Sequence, residues 1–149
     1  MKKILHVLAS NKFSGAENVV CTIIDNFKNE YNMAYCSPIG PITETLKNRN
    51  IQYYGIEKLT VKNLKKIIEI YNPDIIHAHD YTASVIAALS GFKGKIISHL
   101  HINAKFAKTW NIKSILYALT TNKYQKVIGV SDAVINEAIF KKKIQDKYI

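Results

Sequence analysis

The chain has 149 residues, 48% of them hydrophobic, and a formal net charge of +10 at pH 7; this suits one domain with a real core and excludes a disordered chain. Its apolar runs, such as residues 81–89, fall well short of the roughly 20 residues that cross a bilayer, which excludes an integral membrane protein built on helices. The start Met1-Lys2-Lys3 leads into an apolar run, 4–9, that is short, contains His6 and has no small-residue cleavage site after it, so no signal peptide is read and a cytoplasmic protein is expected.

Short β-branched runs alternate with longer amphipathic segments, the pattern of βα units around a parallel sheet. Residues 3–9 read as the first strand, 10–14 as a loop and 15–28 as a helix. A second strand, 33–37, ends at Pro38-Ile39-Gly40-Pro41, and Pro41 suits the first turn of a helix reaching about residue 49. Residues 51–56 form a third strand. Val61, Leu64, Ile67, Ile68 and Tyr71 make one apolar stripe on a helix over 61–71, which Asn72-Pro73 ends. The fourth strand, 74–79, precedes an apolar helix, 81–90, stopped by Gly91 and Gly94. A fifth strand at 95–101, a helix at 111–124 and a sixth strand at 126–130 follow. Ser131 reads as the cap of a last helix beginning at Asp132. The expected fold is therefore α/β: a Rossmann-like, doubly wound, mostly parallel sheet of about six strands in a single domain, 1–149.

Between Asp80 and Asp132 there is no acidic residue, yet Lys93, Lys95, Lys105, Lys108, Lys113, Lys123 and Lys126 lie there. So one-sided a field attracts phosphorylated ligands or an anionic surface, although a lysine-rich proteome produces the same bias. Arg49 is the only arginine, which argues against a specific nucleic-acid partner, since base readers rely on bidentate arginine. Cys21 and Cys36 have neither metal-ligand spacing nor the density of a disulfide framework, and read as small buried hydrophobes.

Open parallel sheets bind ligands beyond the carboxyl ends of their strands. After the first strand, Ser14, Gly15 and Ala16 open a helix whose free N–H groups suit a phosphate or a sugar hydroxyl. With a single glycine and no Gly-Lys-Ser/Thr, the loop is neither a dinucleotide fingerprint nor a P-loop. All five histidines sit on strands: His6 in the first, His77 and His79 closing the fourth, His99 and His101 closing the fifth. Spacing i, i+2 puts both members of each pair on one face. His77 and His99 read as satisfied core or supporting residues, and His79 and His101, nearest the strand ends, as those that touch a ligand. Two His-x-His pairs also suggest zinc or iron, but neither pair alone supplies three ligands and only Asp80 stands near, so no metal is expected. No Ser-His-Asp or Cys-His set and no paired carboxylates appear, which disfavours hydrolysis.

Four segments in order, Ser14-Gly15-Ala16-Glu17, Pro73-Asp74-Ile75-Ile76-His77-Ala78-His79, Ile96-Ile97-Ser98-His99-Leu100-His101-Ile102-Asn103 and Val127-Ile128-Gly129-Val130-Ser131-Asp132, resemble the N-terminal domain of retaining GT-B glycosyltransferases of family 4. The resemblance spans essentially the whole chain. It implies one half of a GT-B fold and transfer of a sugar from a nucleotide-sugar donor to a glycan or lipid-linked acceptor, in polysaccharide or glycoconjugate synthesis, with no cofactor. It implies that Gly15, flanked by Ser14 and Ala16, approaches the donor's pyrophosphate or sugar. Ser14 stands where many relatives have a second glycine. His101 is the expected catalytic histidine, with His99 the fallback if the register shifts, and His79, Asp80, His99, Asn103 and Ser131 are expected to line the acceptor side of the cleft.

The family's second, donor-binding domain is not found after residue 149, so the chain by itself is expected to be inactive; a shortened chain, a truncated reading frame and one half of a split enzyme with a separate C-terminal domain as partner all fit the sequence. Residues 103–126, where lysines mix with Phe106, Trp110, Leu116 and Tyr117, suit peripheral attachment to the inner face of the plasma membrane, and equally an ordinary amphipathic helix whose aromatics face the core. The alternative reading is a non-catalytic Rossmann-like module that binds a phosphorylated ligand.

Overall fold

The computed structural model describes residues 1–149. Six strands, β1 (Lys3–Val7), β2 (Asn32–Pro38), β3 (Gln52–Ile56), β4 (Ile75–His79), β5 (Lys95–Leu100) and β6 (Tyr124–Gly129), form one sheet in the order β3-β2-β1-β4-β5-β6. Every pairing is parallel. The helices are α1 (Gly15–Phe27), α2 (Ile42–Asn48), α3 (Val61–Tyr71), α4 (Tyr81–Leu89), α5 (Ile112–Thr120), α6 (Asp132–Asn136) and α7 (Lys141–Ile144), with short 3-10 turns at Lys105–Lys108 and Thr121–Lys123. A parallel bridge between Val127 and Tyr148 extends the sheet beyond β6.

Alternation along the strands separates two cores. Leu5, Val7, Ala34, Cys36, Ile76, Ala78 and Leu100 pack with Leu64 and Ile67 of α3, Ala83 and Ala87 of α4 and Tyr117 of α5. On the opposite face Met33 and Tyr35 pack with Val20, Cys21 and Ile24 of α1 and with Ile42 and Leu46 of α2. Both cysteines are free and buried, and burial pushes the Cys36 thiol up to about 12.

Helix ends follow local chemistry. Thr60 accepts from the Asn63 N–H at 3.2 Å to start α3, and Asn72, in the left-handed region at φ 51°, ends it. Asn111 caps α5 through the N–H groups of Lys113 and Ser114. Three expectations are corrected. The helix expected over 111–124 stops at Thr120, because the hydroxyls of Thr120 and Thr121 bond back to the carbonyls of Leu116, Tyr117 and Ala118; β6 consequently starts at Tyr124. The helix after Ser131 begins at Asp132 as expected but is not the last, since α7 follows it, and the Ser131 side chain makes no bond to it. Tyr117, expected in an exposed basic patch, is fully buried.

Beneath α4 and α5 the Ser98 hydroxyl meets Ser84 Oγ at 2.8 Å and Tyr117 OH at 2.7 Å. Ser84 also donates to the Asp80 carbonyl, so only Tyr117 depends on Ser98 alone. Ser98→Ala should therefore cost about 1–3 kcal/mol by leaving a buried hydroxyl without a partner, and adding Tyr117→Phe should recover part of that loss. Urea unfolding of the two variants checks this; a double variant less stable than Ser98→Ala would contradict it.

Candidate functional site

The sheet order reverses between β1 and β4, and the loops that follow these two strands diverge there. Asp80, immediately after β4, ties the loops together: its carboxylate accepts from the Ala9 N–H at 3.2 Å and from the Ala83 N–H at 2.7 Å, the second bond capping α4. Its backbone lies at φ 143°, ψ 173°, a region used almost only by glycine. Burial pushes the carboxyl up to about 6 against the opposing pull of the backbone N–H groups.

On the β1 side, Ser14 precedes α1. Glu17, buried at 2% exposure, accepts from both the backbone N–H and the hydroxyl of Ser14, which fixes the turn. A β-carbon on Gly15 would meet nothing within 4 Å, so this helix start is open on the side where a side chain would project. Glu17 was not among the residues singled out from sequence, although the Ser-x-x-Glu spacing of a capping box was there to be read.

The five histidines converge. His6 is in register with His77 and His79 with His99. Since Leu5, Val7, Ile76, Ala78 and Leu100 enter the core beneath α3, α4 and α5, the histidines project from the other face. Neighbouring ring centroids lie 4.0–5.4 Å apart. His6 Nδ1 and His79 Nε2 are hydrogen bonded at 2.9 Å, and His79 Nδ1 and His101 Nε2 at 3.0 Å. His79, at 1% exposure, is thus an interior link, and His101 is the partly exposed end of the chain of rings.

His77 and His99 are buried as expected but not satisfied: His77 Nε2, His99 Nδ1 and also His6 Nε2 find no hydrogen-bond partner in the protein. Burial, reinforced by neighbouring imidazoles, lowers His6 to about 3 and His99 to about 4 and holds His77 and His79 well below the usual histidine range. His101 is also lowered by burial, with Glu17 pulling the other way. At neutral pH the row is uncharged, a set of donors and lone pairs rather than a cationic site.

The remaining residues singled out from sequence lie elsewhere on this edge. Asn103 is exposed and donates to Glu137 at 2.9 Å; Glu137 also pairs with Lys108. Ser131 is exposed at the end of the β6 loop. On the α4–α5 side a groove of about 700 Å³ is lined by Val85, Ile86, Leu89, Phe106 and Leu116, with Asp80 and Lys113 as polar members. Ile102, also in its lining, is exposed, and so are Trp110, Ile112 and Leu119. No helix is long and apolar enough to cross a membrane.

The family model for Glycosyltransferase Family 4 matches residues 13–148. Among solved structures, Anabaena HepE in complex with UDP is 19% identical with a TM-score of 0.83, covering 100% of this chain and 43% of that one. A glycosyltransferase from Rickettsia africae is 21% identical with a TM-score of 0.66, covering 99% and 42%. At these identities the likeness shows the fold, a Rossmann-like half of the GT-B type, and the chain spans under half of each matched structure. Among curated sequences, the lipoprotein-releasing system transmembrane protein LolC of Buchnera aphidicola is 28% identical over 113 residues, 74% of this chain and 26% of that protein. That identity is too low to assign a family.

The strained backbone at Asp80 gives a direct test. Asp80→Ala removes both carboxylate bonds and keeps the strain, which should cost about 1–2 kcal/mol. Asp80→Gly loses the same bonds but releases the strain, and should be more stable than the alanine variant by about 1 kcal/mol. Equal urea midpoints for the two variants would show that the backbone at position 80 stores no strain.

Proposed function

The chain belongs to glycosyltransferase family 4, and from that membership we propose that it forms the acceptor-side half of a GT-B transfer site that moves a sugar from a nucleotide diphosphate, with retention, to a glycan or lipid-linked acceptor. The observation that carries this reading is the presence, on one sheet edge beside the topological reversal, of an open helix start at Gly15 and an uncharged, partly exposed His101. UDP in the HepE complex, and UDP-glucose in another complex of the same protein, support a UDP-sugar as donor.

In the transfer, a bond forms between the acceptor oxygen and the anomeric carbon while the bond from that carbon to the diphosphate oxygen breaks. The departing diphosphate oxygen takes the electron pair of the broken bond and accepts the proton that the acceptor hydroxyl gives up. Free N–H groups in the first turn of α1, next to Ser14, Gly15 and Ala16, suit the diphosphate or a donor hydroxyl, helped by the positive end of the helix dipole. His101 has its Nε2 engaged by His79, which leaves Nδ1 for a sugar hydroxyl. In this reading His79 and His99 stand behind His101 and orient its ring, while Asp80, Asn103 and Ser131 stand on the acceptor side. The transfer itself requires no metal from these residues.

The acceptor is the amphipathic part of the proposal. The apolar groove beside Asp80, the exposed Trp110 and Ile112, and the flanking Lys105, Lys108 and Lys113 suit a ligand with a lipid tail, reached at the inner face of an anionic membrane. The polymer assembled would be a polysaccharide or glycoconjugate. Most of the nucleotide is held by a second domain, in a longer protein or a separate chain, so the present residues alone transfer no sugar at a measurable rate.

Two measurements test this reading. Calorimetric titration with UDP and UDP-glucose should show no saturable binding tighter than about 1 mM; micromolar binding of one nucleotide would instead make the domain a self-sufficient phosphate-ligand module. Trp110 is the only tryptophan, so its emission should shift to the blue on vesicles rich in phosphatidylglycerol at low salt and return as salt is raised. Unchanged emission, with the protein left in the supernatant, would remove the membrane from the proposal.

A further inference from the structure

The histidine row holds more lone pairs than the protein uses. Each neutral imidazole has one N–H and one acceptor nitrogen. Five rings packed at 4.0–5.4 Å make only two hydrogen bonds among themselves, and three buried ring nitrogens are without a partner. Buried polar atoms left this way call for a bound water or an ion. The row contains no carboxylate to accept from its spare N–H groups and no lysine to donate to its spare lone pairs.

We propose that His79, His99 and His101 form a binding site for a single zinc-class divalent cation at the carboxyl edge of the sheet. One nitrogen from each of the three lies within 4.8 Å of the others. His79 Nδ1 and His101 Nε2, 3.0 Å apart, are close to the roughly 3.3 Å that separates two ligands of a tetrahedral zinc with bonds of about 2.0–2.1 Å. Coordination requires that the proton between these two nitrogens leave that contact. The row provides for this: with its proton on Nε2, His79 donates to His6 Nδ1 at 2.9 Å and presents Nδ1 as a lone pair. His6 then serves as the outer partner that fixes the tautomer and orientation of a ligating imidazole. His101 is the partly exposed member, which gives the ion an approach and leaves its fourth position to water. Glu17 contributes a negative field that is felt at His101.

A second trio, His6, His77 and His79, satisfies the same distance criterion but all three of its members are buried, and it shares His79 with the first. The two trios cannot both be filled through one tautomer of His79. The outer trio is favoured because it has the access. The inference rests on this geometry and is independent of the transferase reading; a cation here would hold the His101 ring and compete with a sugar hydroxyl for its neighbourhood.

All five histidines of the chain stand in this row, so an imidazole-metal signature in the untagged protein reports on it alone. The test titrates the metal-free chain with Co²⁺ and follows its visible absorption, then displaces Co²⁺ with Zn²⁺. The expected result is 1:1 binding at micromolar concentration or below, with the strong bands of a four-coordinate nitrogen site. His99→Gln and His101→Gln should each weaken it at least tenfold, while His77→Gln leaves it within about threefold. No saturable binding, near-ultraviolet bands of thiolate ligation from Cys21 or Cys36, or loss on His77→Gln with retention in the other two variants would each overturn the proposal. Should the glutamine variants fail to fold, X-ray absorption of the zinc-loaded wild-type chain decides: three imidazoles in the first coordination sphere support the site, and one or none refutes it.

Discussion

Everything functional in this domain depends on the way a parallel sheet is wound. Strands running the same way deliver all their carboxyl ends to one edge, and a sheet whose order reverses between β1 and β4 must send the chain away on opposite faces there. A crevice opens at that point without any side chain being assigned to make it. Asp80 bridges it, accepting from the backbone of the loop after β1 and from the first turn of α4, in a backbone conformation that a non-glycine residue adopts only when its surroundings impose it. The strain belongs to the crevice and marks where the two halves of the winding are held together.

The histidine row is the second consequence of the same geometry. Parallel register sets His6 beside His77 and His79 beside His99, so residues distant in sequence form one continuous patch of imidazole. Burial disfavours their charge throughout, and only at His101 does an acidic residue, Glu17, pull the other way. What remains is an uncharged hydrogen-bonding surface on the edge of a strongly basic domain.

Much of this was legible in the residues. Alternating β-branched runs and amphipathic segments give the βα order and six strands, and the i, i+2 spacing of each histidine pair places its members on one face. The addition of His6 to the row was not legible, because it depends on strand order rather than on any local spacing. Nor was the interior position of His79, since nearness to a strand end does not say which rings lie above it. Thr120 and Thr121 ended α5 early through hydroxyl bonds to the preceding turn, a competition that hydrophobic periodicity does not register. Glu17 could have been found from its spacing to Ser14. The left-handed backbone of Asp80 could not, because an aspartate before a helix reads simply as a cap.

The pairing of β1 also bears on how the chain reaches this structure. Its two neighbours are β2, met early, and β4, whose contact at Lys3 and Asp74 closes a separation of 71 residues. A strand in the middle of the sheet must therefore wait, half paired, until residues 75–79, just past the midpoint of the chain, have been made. Loop closure of that length is slow relative to hairpin formation, and the waiting edge carries Leu5 and Val7 on one face and Ile4 with His6 on the other. During synthesis the first three strands and three helices would stand as an incomplete sheet with one open flank, and the arrival of β4 would be the event that commits the domain to its final topology.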